Sequence, residues 1–182
     1  MEKASFMKTI GISLGFYGKL HKDVYKAWKS LDKNFKINYI KKRSTHPHIT
    51  LIAGKTKDIK KIHKVLLNLK IKRFKLRSPG LGIFANKNPN LYIRWERNLF
   101  LMKCFKKIRN KTKKLFYTQR KYYDLSSWIP KSSVAWVDFK YSQMKNIQKK
   151  INYLFKSHNV IINRIYLIEV TDREILRYSI KI

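Results

Sequence analysis

The chain has 182 residues, 44% of them hydrophobic, which is enough to bury one compact core or the shared core of two small lobes. Its 43 lysines and arginines against 10 acidic residues give a formal net charge of +33, so a polyanionic partner is expected, with a merely solvated basic surface as the alternative. The single cysteine, Cys104, excludes an intramolecular disulfide, and no uncharged run reaches the roughly 18 residues of a membrane span.

Hydrophobic periodicity predicts alternating strands and helices in the first half of the chain. A strand is expected over 8–14, and a helix over about 19–35 carries Trp28 on its apolar face. These are followed by a strand over 48–53, a helix over 58–69, and a strand near 74–84 that bends at its glycines.

The second half repeats this order of elements. The patterns predict a strand over 91–95, a helix over 99–116, a strand over 131–137, a helix over 143–155, and a hairpin formed by 160–170 and 175–182. The repetition indicates a single domain over 1–182 made of two pseudo-symmetric lobes, with halves of roughly 1–86 and 87–182. Trp95 and Trp136 fall on apolar faces and, like Trp28, are expected in the core.

Two short segments of the chain match each other most closely. His-Pro-His-Ile-Thr-Leu at 46–51 and Ile-Pro-Lys-Ser-Ser-Val at 129–134 are offset by 83 residues, the difference between 48 and 131. The matched positions are Pro47 and Pro130, His48 and Lys131, Thr50 and Ser133, and Leu51 and Val134. Residues two apart on a strand point to the same face, so two such strands that face each other would form a pocket able to hold a phosphate.

The segment 46–51 resembles the first signature of the two-histidine phosphoesterases, a superfamily that includes bacterial 2′-5′ RNA ligases, 2′,3′-cyclic phosphodiesterases and nuclear enzymes that trim small nuclear RNA tails. Segment 74–86 is similar to the family's Gly-rich strand that ends in Phe, 91–95 to its next hydrophobic strand, and 128–130 to the lead-in of its second signature. The resemblance implies an α+β fold of two pseudo-symmetric lobes, each an antiparallel sheet with helices outside, around a central cleft. It also implies catalysis without a metal or a cofactor.

Carried over by position, the resemblance assigns His48 to the first catalytic histidine, and Thr50 and Ser133 to the phosphate-holding hydroxyls. Lys131 stands where the family has its second histidine, which is a departure from the pattern. An ordinary lysine has a pKa of about 10.4 and is a poor base near neutrality, so we expect His48 to act as the base and Lys131 as the acid or as an electrostatic clamp. We therefore expect the lysine at this position to impair turnover more than it impairs phosphate binding.

The surface contacts to RNA are predicted from bases and aromatic rings. The basic triplet Lys41, Lys42 and Arg43 precedes the first signature, and Tyr122, Tyr123 and Trp128 lie in the long basic connection 111–130. Interleaved aromatic and basic residues are typical of proteins that bind single-stranded RNA. The alternative is an insertion whose aromatic side chains pack back on the domain.

Two functional hypotheses remain open at this point. The first is an RNA-directed enzyme that acts on, or grips, 2′,3′-cyclic-phosphate or 2′-5′-linked RNA ends. The second is a non-catalytic RNA-binding protein, such as a ribonucleoprotein component, that uses the same fold. Since none of His21, His63 and His158 has metal-ligand spacing with another His, Cys or carboxylate, no metal is expected. The N-terminal residues show neither a secretory nor a transit pattern, so a cytoplasmic protein with no membrane partner is expected.

Overall fold

The computed structural model describes residues 6–44 and 46–182; residues 1–5 and 45 of the predicted domain lie outside them. The strands of this part are β1 (Lys8–Phe16), β2 (His48–Thr56), β3 (Phe74–Ser78), β4 (Gly80–Phe84), β5 (Asn90–Arg94), β6 (Thr118–Gln119), β7 (Lys131–Trp136), β8 (His158–Val170) and β9 (Glu174–Lys181). The helices are α1 (Lys19–Phe35), α2 (Tyr39–Arg43), α3 (Ile59–Leu67), α4 (Leu99–Thr112) and α5 (Met144–Ile151). Short 3-10 turns follow α4 at Lys113–Leu115 and α5 at Asn152–Phe155.

The strands form two antiparallel sheets, which confirms the predicted α+β class. In the first sheet the order is β3-β8-β1-β2-β6, with β9 paired along the rest of the long strand β8. The second sheet has the order β4-β5-β7. Helices α3 and α4 pack together beside the first sheet, and α1 and α5 pack together beside the second.

The sheets do not follow the expected division of the chain at residues 86 and 87. The first sheet takes β8 and β9 from the second half, and the second sheet takes β4 from the first half. The strand predicted over 74–84 is in fact two strands, one in each sheet. The break falls at Pro79, which has no amide hydrogen to donate to a ladder, and at Gly80, whose φ of 127° suits glycine alone.

The apolar stripe predicted for α1 is buried, because its spacing directs Leu20, Val24, Trp28 and Leu31 to one face. Trp95 is also in the core, as expected. The core prediction is wrong for Trp136, whose side chain is 38% exposed. Two residues before Trp136, at Val134, the pairing of β5 with β7 shifts register between Leu91 and Tyr92, so β7 carries one extra residue. Such a bulge moves the following side chain to the other face of the strand.

Candidate phosphate site between the two sheets

A cavity of about 580 Å³ lies between the two sheets and is the place where the signature residues meet. His48 and Thr50 on β2 line it from the first sheet, and Lys131 and Ser133 on β7 line it from the second. All four keep part of their side chain accessible, whereas the residues between them on each strand, Ile49 and Ser132, are buried. The alternation predicted from the sequence therefore places one side of each signature strand on this cavity.

Hydrogen bonds between the two motifs fix the signature strands against each other. The Ser132 hydroxyl donates to the His48 carbonyl oxygen at 2.6 Å, and Trp95 Nε1 donates to Ser132 Oγ at 3.0 Å. Trp128 Nε1 donates to the Thr50 carbonyl oxygen, also at 3.0 Å. The backbone of the first motif is therefore held by side chains that flank or belong to the second.

The orientation of the His48 ring follows from one backbone contact. His48 Nδ1 lies 2.7 Å from the carbonyl oxygen of His46. Because a carbonyl oxygen can only accept, the hydrogen resides on Nδ1, and in the neutral ring Nε2 carries the lone pair. His48 is therefore held in the tautomer that a general base needs, with Nε2 as the accepting nitrogen.

Lys131 is a largely buried cation, and this burial lowers the pKa of its ammonium group. Its Nζ lies 3.4 Å from Ser133 Oγ and 6.0 Å from the centre of the Phe84 ring. Among the ion pairs of the described residues, none involves Lys131. A buried ammonium without a carboxylate partner is costly unless an anion binds to it.

The two hydroxyls have neighbours that set their roles. Ser133 Oγ accepts from Asn90 Nδ2 at 3.2 Å and from Lys131 Nζ, so both of its lone pairs are engaged and its own hydrogen is left to donate. Thr50 Oγ1 lies 3.5 Å from Ser13 Oγ on β1, and Thr50 also forms a side-chain hydrogen bond with Tyr123. Asn90 and Ser13 were not predicted from the sequence, because their importance depends on strand pairing.

The charges around the cavity favour an anion. Arg43, Arg120 and Lys131 line it, and Glu174 is the one carboxylate residue among the lining residues of the described part. His46 also lines the cavity, with its ring 5.8 Å from that of Tyr166. Burial, and then the neighbouring His48, lower the pKa of His46.

The aromatic residues of the connection 111–130 differ in accessibility. Tyr122 is 51% exposed and lines the cavity, and Arg120 Nη1 donates to its hydroxyl at 2.7 Å. Tyr123 is mostly covered, and burial raises its pKa. Trp128 is only 1% exposed and stacks on Phe105 at 4.3 Å, so its ring is not available to stack on a base. For Trp128, the packing alternative is therefore the correct one.

The basic triplet forms the C-terminal half of α2. Lys42 is exposed, while Lys41 is bound to Asp32 at 2.7 Å. Arg43 lines the cavity; it donates to the Thr171 carbonyl oxygen at 2.8 Å and lies 5.2 Å from the centre of the Tyr39 ring. Only Arg43 of the three reaches the cavity wall.

In the described ranges 6–44 and 46–182, no group of three or more His, Cys, Asp and Glu side chains is arranged to hold a metal ion. Nor does this part of the chain contain a helix that is both long enough and apolar enough to span a bilayer.

Comparison with solved structures identifies the architecture. Escherichia coli LigT in its apo form superposes with a TM-score of 0.58 at 10% sequence identity, covering 96% of this chain and 95% of LigT. The complex of LigT with 3′-AMP gives a TM-score of 0.54 at 11% identity, covering 96% and 98% of the two chains. Usb1 of Kluyveromyces marxianus gives 0.49 at 9% identity, covering 97% and 98%. No family model matches the sequence, and no curated protein matches it at a significant level. The chain therefore has the fold of LigT.

Proposed function

We propose that this protein binds the phosphate of an RNA end in the cavity between its sheets and acts on 2′,3′-cyclic phosphate or 2′-5′-linked RNA by acid–base chemistry. One observation carries the proposal: the ammonium of Lys131 is largely buried beside the Ser133 hydroxyl and has no ion pair with a described carboxylate. A terminal phosphate supplies the missing negative charge and oxygen acceptors for the hydroxyls of Thr50 and Ser133.

The reaction that this arrangement supports is the opening of a cyclic phosphate by water. His48 Nε2 removes a proton from water as the water oxygen attacks phosphorus. The bond between phosphorus and one ribose oxygen breaks, and Lys131 gives a proton to that oxygen or holds its charge. The products are a phosphomonoester and a free hydroxyl, and the two side chains return to their starting states by exchanging protons with solvent.

The lysine changes the balance between binding and turnover. Burial lowers the pKa of Lys131, and this makes the ammonium a better proton donor than an exposed lysine. The bound phosphate opposes that effect, because its negative charge favours the protonated form. Lys131 therefore strengthens the grip on the anion, and turnover is slower than with a histidine at this position.

Support for a nucleotide ligand also comes from the fold. LigT, which shares the architecture, has been crystallised with 3′-AMP. The net charge of +33 and the cavity-lining Arg43 and Arg120 add an attraction for the RNA backbone beyond the reacting phosphate.

The second candidate function is RNA binding without turnover. The presence of Lys131 in place of the second histidine favours it, because lysine is a weaker acid–base catalyst than imidazole near pH 7. The same phosphate site would then serve as an anchor for RNA.

Incubation with an oligoribonucleotide that ends in a 2′,3′-cyclic phosphate, in the presence of a metal chelator, separates the two functions. If the protein is an enzyme, the wild type forms a phosphomonoester product and His48→Ala does not. The matched control His63→Ala, on α3 outside the cavity, still forms it. Retained RNA affinity with no product from the wild-type protein supports the anchor. If the wild-type protein neither binds nor cleaves this RNA, both candidates are wrong.

A further inference from the structure

The segment that leads from α4 to the cavity carries an exposed aromatic and basic surface. Phe116 is buried in the core, and the next residue, Tyr117, is 65% exposed. Lys57 Nζ lies 5.7 Å from the centre of the Tyr117 ring, a cation–π contact. Lys113 and Lys114, just before Phe116 in the chain, are exposed as well. We call Lys57, Lys113, Lys114 and Tyr117 the β6 surface, because they lie beside the start of that strand.

Hydrogen bonds hold the main chain of the β6 surface against the first sheet. The Tyr117 amide donates to the Lys55 carbonyl oxygen at 2.9 Å. The Gln119 side chain on β6 donates to the Lys113 carbonyl oxygen at 2.8 Å. The backbone that carries the ring and the lysine pair is therefore already ordered, which lowers the entropic cost of binding a partner.

The β6 surface keeps its positive charge, because the acidic residues nearest to it in the chain are engaged elsewhere. Asp58 Oδ1 accepts from the Lys61 amide at 2.8 Å as the N-cap of α3, and Asp124 Oδ1 accepts from Arg109 Nη2 at 2.5 Å. Among the ion pairs of the described residues, none involves the lysine pair 113–114. Two exposed ammonium groups beside an exposed ring thus favour a negatively charged partner.

The β6 surface leads directly to the cavity wall. Three residues beyond Tyr117, the amide of Arg120 donates to the Ala53 carbonyl oxygen at 3.1 Å, and Arg120, Ala53 and Tyr122 all line the cavity. At about 3.3 Å per residue of extended chain, Tyr117 lies roughly 10 Å from Arg120. The four residues of the β6 surface do not line the cavity themselves. A ligand that leaves the cavity past Arg120 and Tyr122 therefore meets the β6 surface next.

A comparable surface on the other side of the molecule lacks this connection. Lys149 and Lys150 on α5 are exposed, and Tyr153, in the turn after α5, is 67% exposed. Within the described chain, no residue of α5 or of this turn lines the cavity. The two surfaces are alike in charge and in aromatic exposure, and they differ in their connection to the cavity.

We propose that the β6 surface binds the single-stranded body of an RNA whose end lies in the cavity, with Tyr117 against a base and the lysine pair 113–114 on phosphates. Aromatic and basic side chains together suit a single strand, because its bases are free to stack and each is followed by a phosphate. The preferred ligand is then a strand that extends well beyond the reacting phosphate. This inference rests on the proposed function for the place of the RNA end, and it adds a second RNA-binding surface outside the cavity.

Equilibrium binding measured by fluorescence anisotropy tests the β6 surface without depending on turnover. The RNA probes are a dinucleotide and a single strand of about 12 nucleotides, both ending in a 3′-phosphate, and the same long strand ending in a 3′-hydroxyl. Vesicles that contain phosphatidylserine are the probe for a membrane contact. The proteins are the wild type, Tyr117→Ala, the double variant Lys113→Gln/Lys114→Gln, and the matched controls Tyr153→Ala and Lys149→Gln/Lys150→Gln. Thermal unfolding checks that each variant is folded.

We expect the wild type to bind the long 3′-phosphate strand more tightly than the dinucleotide, because the second contact becomes intramolecular. Tyr117→Ala should weaken binding of the long strand by about 5- to 150-fold, the equivalent of one base–aromatic stack, and leave binding of the dinucleotide unchanged. Lys113→Gln/Lys114→Gln should reduce the magnitude of the log–log salt slope for the long strand by about 0.7 per lysine. Both control variants should bind as the wild type does.

Four results would overturn one part of the proposal or another. If folded Tyr117→Ala and Lys113→Gln/Lys114→Gln bind the long strand as the wild type does, the β6 surface is wrong while the phosphate site stands. Equal losses in the α5 controls would show that RNA affinity is spread over the whole basic surface, which also contradicts the assignment. Loss of vesicle binding in Tyr117→Ala without loss of RNA affinity would make the surface a membrane contact. If the wild type binds both long strands equally and Tyr117→Ala weakens both, the β6 surface stands and the phosphate site of the proposed function fails.

Discussion

The Ser132 hydroxyl and the His48 carbonyl oxygen, 2.6 Å apart, join the two signature strands across the cavity. Ser132 is 2% exposed and receives a second hydrogen bond from Trp95 Nε1. One buried hydroxyl thus connects the backbone of the residue proposed as the base to the strand that carries Lys131. The separation of the reacting groups depends on this contact as well as on the general packing of the sheets.

Ser132→Ala should lower the free energy of unfolding by about 1–3 kcal/mol, because it leaves the buried indole N–H of Trp95 without its acceptor and removes a hydrogen bond to the His48 carbonyl oxygen. Urea unfolding measures this change. Ser142→Ala, at an exposed position, is the matched control and should stay within about 0.5 kcal/mol of the wild type. Equal stability of the two variants would contradict the importance of this contact.

Lys131→His should raise the rate of cyclic-phosphate opening at pH 7 by about tenfold or more, because it introduces a second imidazole where general acid–base catalysis contributes about 10²–10⁴-fold. Single-turnover kinetics with the cyclic-phosphate oligonucleotide measures the chemical step. Lys131→Gln serves as the control, since it removes the charge without supplying a titrating group. No gain in a well-folded Lys131→His protein would count against a two-motif pocket.

Lys131→Met should stabilise the fold at neutral pH while weakening phosphate binding. Burial lowers the pKa of Lys131 in the folded state, so the charged ammonium group destabilises the fold at neutral pH. This destabilisation is absent above the ordinary pKa of 10.5 and reaches its full size as the pH falls through the lowered pKa. Methionine carries no charge and therefore removes the free-energy cost of burying the ammonium group.

We expect a gain of roughly 0.5–2 kcal/mol at pH 7 that shrinks toward pH 10. Urea unfolding at both pH values checks it, with exposed Lys145→Met as the control. A loss of stability at pH 7 would show that the ammonium is well compensated in the folded state.

RNA affinity should fall steeply with salt, with a slope of about −0.7 in log–log form for each phosphate neutralised on a single strand. Arg43→Gln and Arg120→Gln, at the cavity wall, should each reduce the magnitude of the slope by about 0.7. Arg173→Gln is the control, because Arg173 is exposed and does not line the cavity. Fluorescence anisotropy between 50 and 300 mM salt, about the range over which such slopes are resolved, makes the measurement. A flat response would contradict the electrostatic part of the proposal.

Gly15→Ala should destabilise the protein by about 1–3 kcal/mol, the usual cost of overpacking. A Cβ atom at this position would clash with the ring of Tyr166, and Gly15 pairs with His48 in the sheet. Gly11→Ala is the control on the same strand, since its nearest contact would be 3.8 Å. Shortening Tyr166 to Leu in the Gly15→Ala background should recover part of the loss. If Gly15→Ala and Gly11→Ala unfold at the same urea concentration, Tyr166 is able to move without cost.

The sequence predicts the fold best where hydrophobic spacing alone decides the structure. Helix α1 begins and ends at the expected residues, and β8 and β9 form the expected hairpin. Prediction fails where the outcome depends on pairing between distant strands. The residues around Gly80 read as one bent strand, yet the chain crosses there from one sheet to the other.

The candidate site shows the same division. The 83-residue offset identifies four residues that the structure places on one cavity. Trp136 follows the apolar alternation of β7, and only the register shift opposite Leu91 and Tyr92 reveals that it faces the cavity. Trp128 lies in a basic segment typical of RNA contacts, but Phe105 covers its ring, a contact between residues 23 positions apart.

The hydrogen bond from Ser132 to the His48 backbone positions the two signature strands without using either of the proposed reactive side chains. This contact uses the Ser132 hydroxyl and a main-chain oxygen, and neither depends on whether residue 131 is a histidine or a lysine. The reactive side chain at position 131 can therefore be exchanged while the contact that positions the two signature strands is kept.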